Sequence, residues 1–488
     1  MLNLKNNSVI SELDQLRSEH VKHFVHRDHT GTAVQYFKPV HFMKEGSSSW
    51  SEIDNTLVEK EAEIGGKVRK CFAPADSPIG IRFSADPADP CASITSGKHT
   101  VSWRYSFSEP GKAELSLPSP EKLPAGEEDP FLIPQKISGR LLYGEADRDT
   151  DLLYILDSKT VKELLILKSA EAPSALEAFF SFEGLRVKEV SEHTLQLIAP
   201  DGEPVLTLSA PQMTDAAMAA SDRVSLKVLE ADERGMRIRL TADPSWLRDP
   251  ARKFPVSIDP FIWQEVTSFD YDGTHTALNA THPYGSLMVG TDMGYNYGKC
   301  MSFVKFPLPA LSSGDMVTGG TLSLYQYSGY HGYNAAGTPN LLISAHMVDE
   351  AWTQDSLLHT SSSYHLPATE DTILDFKTIS SDTCGHATFF DVTEAVKKWY
   401  DGTALNYGIC IKAVDETAWA LAAFIAANNT YYNDYIPYLA VFCKPRLQKV
   451  AKRFCRLLHL HFVGDCRGLC RPVLTDRTPL QTLLTVTT

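Results

Sequence analysis

Apolar and polar residues alternate along much of the first half of the chain. Every second residue is apolar from Val101 to Phe107, and the same pattern runs from Met236 to Leu240. Because successive side chains of a strand point to opposite faces, this alternation predicts half-buried strands. Nearly continuous apolar runs at 164–167 and 205–208 are typical of strands covered on both faces. Many such segments, separated by Gly, Pro, Asn and Asp turns, predict a β-sandwich over residues 21–260.

A second domain is predicted downstream of a stiff Asp-Pro pair at 259–260. Further strand-like segments extend from residue 262 to 445 and predict another β-sandwich. One helix interrupts them, since Val392, Val396 and Trp399 share a face and Gly402 follows as a possible end.

The two ends of the chain depart from the strand pattern. Val9, Ile10, Leu13 and Leu16 have helical spacing and predict a short N-terminal helix within residues 1–20. Residues 446–488 hold eight basic and two acidic side chains without periodicity, so we expect an irregular basic tail. The predicted fold class is therefore mostly β, with two sandwich domains between these ends.

Charge and hydropathy disfavour some partners and locations. The formal net charge is −14, which disfavours nucleic acid, because phosphates require a basic surface. No apolar stretch reaches the roughly 18 residues of a transmembrane helix. The first 20 residues also lack the apolar core of a signal peptide, so nothing in them directs export.

Several segments resemble a known family. Residues 33–42 and 50–57 resemble the N-terminal region of clostridial wall-associated proteins that carry DNRLRE domains, often with RHS-type repeats. Residues 284–290, 302–309 and 390–409 resemble the DNRLRE domain itself, although the literal DNRLRE string is absent. The resemblance implies a jelly roll for the second domain, an extracellular or cell-surface location, and binding of polysaccharide or a cell-wall polymer, as in a carbohydrate-binding module. It also implies further domains in a longer parent protein.

An aromatic cluster in the second domain is the candidate carbohydrate-binding site. Sugar rings stack on aromatic faces, and their hydroxyls need polar partners such as Asn. Alternation along the strand at 321–327 places its tyrosines on one face of the sheet and Leu322 and Leu324 on the other. A glycine-rich loop follows. The alternative is that these rings cover a sheet edge or pack against the neighbouring domain. The candidate residues are Tyr325, Tyr327, Tyr330, Tyr333, Asn334 and Trp419.

Metal-binding and catalytic motifs are sparse. Asp270 and Asp272 provide closely spaced oxygen ligands and form a candidate structural calcium site, with ordinary turn residues as the alternative. We expect no other cofactor. The sequence contains no nucleophile elbow, H-E-x-x-H motif or phosphate-binding P-loop motif, which predicts that the protein is not an enzyme.

Three functions follow as hypotheses. The first is a non-catalytic extracellular or surface protein that binds polysaccharide or mediates adhesion. The second is a structural N-terminal scaffold of a larger RHS-type surface or toxin-delivery protein, without glycan binding. The third is a polysaccharide-degrading enzyme, because paired catalytic carboxylates cannot be recognised without their spatial separation.

Overall fold

The structure is a computed structural model, and it describes most of the chain in separate ranges. These are residues 9–64, 66–107, 114–118, 132–134, 136–191, 194–208, 211–216, 219–259, 262–263, 274–277, 286–292, 298–326, 340–357, 365–380, 383–416, 420–427 and 435–445.

Strands dominate these ranges. Up to residue 259 they are β1 (Val9–Glu12), β2 (Val21–His26), β3 (Gly31–Tyr36), β4 (His41–Met43), β5 (Trp50–Glu52), β6 (Asp54–Ile64), β7 (Lys67–Asp76), β8 (Gly80–Ser84), β9 (Cys91–Ser96), β10 (His99–Ser106), β11 (Glu114–Ser116), β12 (Ser138–Asp147), β13 (Thr150–Asp157), β14 (Thr160–Leu167), β15 (Ala175–Ser181), β16 (Arg186–Ser191), β17 (Thr194–Ile198), β18 (Pro204–Leu208), β19 (Gln212–Asp215), β20 (Ala220–Ser221), β21 (Val224–Ala231), β22 (Gly235–Ala242) and β23 (Val256–Asp259).

The later strands follow the same notation. They are β24 (Ile262–Trp263), β25 (Thr274–Ala277), β26 (Ser286–Asp292), β27 (Gly298–Val304), β28 (Asp315–Tyr325), β29 (Leu341–Val348), β30 (Thr369–Ile379), β31 (Ala387–Asp391), β32 (Ile409–Ala413), β33 (Leu421–Ile425) and β34 (Tyr438–Pro445).

Helices are few and short in the described residues. They are a 3-10 turn (Asp14–Leu16), α1 (Pro244–Leu247), α2 (Gln354–Leu357) and α3 (Thr393–Asp401). The predicted helix is confirmed as α3, which buries Val396 and Trp399 and ends at Gly402 in a left-handed conformation with φ of 77°. No helix in the described ranges is long and apolar enough to cross a membrane.

The first sandwich surrounds a large apolar core. One layer, here called the groove sheet, has the strand order β21-β22-β15-β10-β9-β8-β7-β6. The other layer, the back sheet, has the order β11-β12-β13-β14-β23-β19-β20. Inward residues of both layers, such as Phe83 and Trp103 from the groove sheet and Leu152 and Leu165 from the back sheet, form one cluster. A four-stranded sheet, β16-β17-β18-β24, contributes further residues to it.

The second sandwich has its own core. Its two layers have the orders β1-β2-β3-β34-β28-β31 and β30-β29-β32-β27-β26-β33, and β25 also pairs with β27. Leu322 and Val441 of the first layer and Ile343 and Ile411 of the second lie in one cluster, with Trp399 of α3. The predicted fold class, mostly β with sandwich layers, is confirmed by this arrangement.

The predicted N-terminal helix is wrong for the residues described. Val9–Glu12 is strand β1, and it pairs antiparallel with β2, with Glu12 opposite Phe24. The helical spacing extends over only about two turns, and helices this short are marginal in water without tertiary packing. Pairing with β2 supplies partners for the backbone and overrides that local pattern.

Hydrogen bonding crosses the boundary predicted near residue 261 in two places. Strand β3 pairs with β34, so that Val34 lies opposite Ala440. Strand β24, which follows the predicted boundary, pairs antiparallel with β18, which precedes it, so that Trp263 lies opposite Thr207. Alternation in the sequence shows that a segment is a strand but does not show its partner, which is why these exchanges were not predicted.

A buried carboxylate ties the two layers of the first sandwich together. Glu163 lies on β14 and is fully buried. The indole Nε1 of Trp103 donates to its Oε2 at 2.9 Å, and the Tyr105 hydroxyl donates to its Oε1. Burial raises the pKa of Glu163, and the hydrogen bonds from Tyr105, Tyr154 and Trp103 oppose that shift only in part.

We predict that Glu163→Gln flattens the pH dependence of folding stability. Because the folded-state pKa lies above the unfolded value, the folded state retains its proton when the unfolded state loses it. This contribution to stability is complete below the ordinary carboxyl pKa of about 4.3 and is lost as the pH rises through the raised pKa. Urea unfolding from about pH 4 to about pH 8 should show a smaller decline for the variant than for the wild type.

The control for this measurement is Glu189→Gln, which alters an exposed glutamate on β16. Its stability should follow the wild-type pH profile. Parallel profiles for the wild type and Glu163→Gln would contradict the burial argument.

Candidate functional site

A cavity lies on the outward face of the groove sheet. Its volume is about 640 Å³, and it is lined by parts of β6, β7, β9, β10, β15, β21 and β22. Small-molecule sites typically occupy about 300–1,000 Å³, so this concavity, here called the groove, can hold a small ligand or one segment of a larger one.

One cross-strand row of side chains crosses the groove. Arg104 on β10 lies opposite Phe179 on β15, and Phe179 lies opposite Arg237 on β22. Cys91 and Glu230 continue the row at its two ends. Residues directly opposite each other share a sheet face, so all five side chains belong to the outward face. The arginines and the ring are therefore neighbours although they are distant in sequence.

Small residues occupy the adjacent row and leave space above the sheet. Ser102 lies opposite Ser181, and Ser181 lies opposite Gly235. A Cβ atom on Gly235 would lie 2.4 Å from the carbonyl oxygen of Phe180. Glycine therefore allows β22 to approach β15 closely here, and the serines and glycine form the floor of the groove.

Positive charge exceeds negative charge along the groove. The cationic side chains are Lys67, Arg69, Arg104, Arg234 and Arg237, and the carboxylates are Asp89, Glu230 and Asp232. Some of these charges neutralise one another. Arg69 forms an ion pair with Asp89 at 2.7 Å, and the hydrogen bond that Arg69 donates to this carboxylate raises the pKa of the guanidinium. Arg237 pairs with Glu230 and lies 3.6 Å from Glu177.

Three cations of the groove form no ion pair within the part of the chain that the structure describes: Lys67, Arg104 and Arg234. Arg104 is exposed, and its Cζ lies 5.9 Å from the centroid of the Phe179 ring. Asp232 accepts hydrogen bonds from the backbone of Arg234 and Gly235, which shapes the turn between β21 and β22. The uncompensated charge therefore favours an anionic ligand.

The groove provides binding groups rather than a recognisable metal centre. Among the residues that the structure describes, no group of three or more His, Cys, Asp and Glu side chains is arranged to hold a metal ion. Guanidinium groups bind phosphate or carboxylate through forked hydrogen bonds, and the serine hydroxyls can donate and accept. The arrangement is therefore suited to a ligand with phosphate or carboxylate groups.

Tyr325 does not form an exposed carbohydrate platform. It is only 3% exposed, and its ring packs against Tyr435 with centroids 4.6 Å apart. Its neighbour on the same face, Ser323, lies opposite Tyr438, which belongs to an apolar cluster that also contains Phe24 and Val34. That cluster covers the face that the alternation had suggested would meet solvent.

The other predicted site residues lie outside the described ranges. They are the carbohydrate-binding candidates Tyr327, Tyr330, Tyr333, Asn334 and Trp419 and the calcium-binding candidates Asp270 and Asp272. Conversely, the groove was missed by the sequence analysis. Its signal is the spacing of arginine and serine at every second position of the alternating strands, as in Ser102 and Arg104.

Comparison with known proteins gives a consistent set of relatives. The chain is 25% identical over 454 residues to the tRNA nuclease WapA of Bacillus subtilis (strain 168), covering 87% of this chain and 18% of the relative. The tRNA(Glu)-specific nuclease WapA of Bacillus subtilis subsp. natto (strain BEST195) aligns with the same identity, and the alignment covers 17% of its length. The tRNA3(Ser)-specific nuclease WapA of Bacillus spizizenii (strain DSM 15029) is also 25% identical, and the alignment covers 18% of its length. The chain thus spans less than a fifth of these curated relatives.

Two other comparisons add little. No family model matches the chain, so the resemblance to DNRLRE domains stays a prediction. A Paenibacillus xanthan lyase structure aligns with 86% of this chain and 39% of its own, at 8% identity and a TM-score of 0.10, which supports no conclusion about fold or function.

The relatives overturn several functional predictions. Their names describe tRNA nucleases, which contradicts the predicted polysaccharide-binding role, the assignment to carbohydrate-binding modules and the prediction that the protein is not an enzyme. They also contradict the expectation of a polysaccharide partner and of no nucleic-acid partner. The error in the latter has a physical cause. A net charge of −14 averages over 488 residues, whereas a phosphate responds to the charges near it.

We predict that Gly235→Ala destabilises the first sandwich. The added methyl group would force β22 away from β15, and such overpacking typically costs about 1–3 kcal/mol of unfolding free energy. Urea denaturation measures this cost. Ser181→Ala, which changes an exposed floor residue on the adjacent strand, should alter the unfolding free energy by less than about 0.5 kcal/mol. Equal stability of Gly235→Ala and the wild type would contradict the close approach of the two strands.

Proposed function

We propose that this chain acts on tRNA, and that it contacts the RNA backbone through the groove. The observation that carries the proposal is the alignment of 87% of the chain with relatives named as tRNA nucleases. Because the chain spans less than a fifth of those relatives, tRNA cleavage is proposed for the protein as a whole and is not assigned to any described residue.

The groove supports this proposal by its charge and its chemistry. Nucleic-acid affinity arises largely from cationic side chains that neutralise phosphates and release counterions. Lys67, Arg104 and Arg234 are available for such contacts because no described carboxylate pairs with them. The serine hydroxyls of the floor can hydrogen-bond to phosphate or sugar oxygens.

An extracellular or cell-surface location is also proposed. Its support is the resemblance of residues 33–42 and 50–57 to wall-associated proteins.

We predict that the double variant Lys67→Ala/Arg104→Ala binds tRNA more weakly than the wild type. Each lost phosphate contact reduces the slope of log K against log salt concentration by about 1, so the double variant should lose about 2. Fluorescence anisotropy with labelled tRNA, repeated at several salt concentrations, measures both the affinity and the slope.

The matched control for that titration is Arg186→Ala/Lys188→Ala, which removes the same number of charges from exposed positions on β16. It should retain the wild-type slope. Equal slopes for all three proteins, or no tRNA binding by the wild type, would refute the proposed function.

A further inference from the structure

An aromatic ring lies at the centre of the arginine row. Phe179 is half-buried on the outward face, whereas its neighbour Phe180 points into the core and is only 4% exposed. The cross-strand neighbours of Phe179 on the two sides are Arg104 and Arg237. The apolar ring of Phe179 therefore separates two arginines that would otherwise be adjacent on the outward face of the sheet.

The surroundings of the ring provide flat surfaces and short polar groups together. The guanidinium of Arg104 lies 5.9 Å from the ring centroid, and both groups can stack against a planar partner. The neighbours of the ring on the floor are Ser181, two residues along the same strand, and Ser102 and Gly235 diagonally across on the flanking strands, and their small size leaves depth beside the ring. Ser102 donates a hydrogen bond to Ser93 at 3.1 Å and keeps acceptor capacity.

We propose that the groove binds unpaired nucleotides, with one base stacked on Phe179 and the adjoining phosphates held by Arg104 and Lys67. This inference deepens the proposed function and rests on it. Nucleic-acid bases stack on aromatic side chains without regard to sequence, and cationic groups beside the ring follow the backbone. A base inside a duplex is already stacked and paired, so its face is unavailable to the ring. Loops and single-stranded ends of an RNA are therefore the matching ligand.

The test compares a short labelled oligouridylate with an RNA duplex of the same length by fluorescence anisotropy. The wild type should bind the single strand more tightly. Phe179→Leu should weaken single-strand binding by roughly 5- to 150-fold, the effect of losing one stacked base, and leave duplex binding unchanged. Phe179→Trp should restore single-strand binding, because a larger ring offers a larger stacking surface.

Two controls separate stacking from other effects. Phe376→Leu makes the same substitution at a residue that is 60% exposed on β30 of the second sandwich, and it should bind both RNAs as the wild type does. The thermal midpoint of each variant shows whether it remains folded. A Phe179→Leu variant that is folded but binds as well as the wild type, or that loses both RNAs equally, would overturn the inference.

The outcomes also distinguish this inference from the proposed function. If tRNA binding depends on Lys67 and Arg104 but not on the ring of Phe179, only the stacking assignment fails. If the wild type binds neither the oligouridylate, nor the RNA duplex, nor tRNA, the proposed function fails and the assignment of the groove fails with it.

Discussion

The hydrogen bonds that converge on Glu163 determine which residues of β10 reach solvent. This carboxylate lies inside the first sandwich and accepts from Trp103 and Tyr105, which point inward. Arg104 stands between them on a pleated strand and must point outward. A shift of one residue in the register would bury Arg104 and expose both aromatic side chains. The charged face of the groove sheet therefore depends on a carboxylate that lies on the opposite layer.

The register then extends across neighbouring strands. Arg104, Phe179 and Arg237 belong to three adjacent strands of the groove sheet, and antiparallel pairing places them in one row. The floor row of serine and glycine is set by the same register. A surface for an anionic ligand can thus arise in an acidic protein, since the local arrangement of charges, not the total, determines the field in a concave site.

Local patterns predicted local structure well. The alternation around Val101 and Met236 corresponds to β10 and β22, and the spacing of Val396 and Trp399 corresponds to α3. Non-local pairing was not accessible in the same way. The strand at Val9 is stabilised by its partner β2, and the burial of Tyr325 results from side chains that are far away in sequence. The candidate site combines residues from 64 to 237, so its assembly requires the strand order. The sequence signal of the groove is limited to the alternation of arginine and serine along its strands.

Photo-crosslinking of the folded chain to tRNA that contains 4-thiouridine, followed by mass-spectrometric mapping of the attached peptides, shows directly whether the RNA lies in the groove. We expect crosslinks in peptides that contain residues 102–104, 179–181 or 235–237, which line the groove. Crosslinks confined to the second sandwich, or spread evenly over the surface, would contradict the claim that this face of the groove sheet holds the RNA.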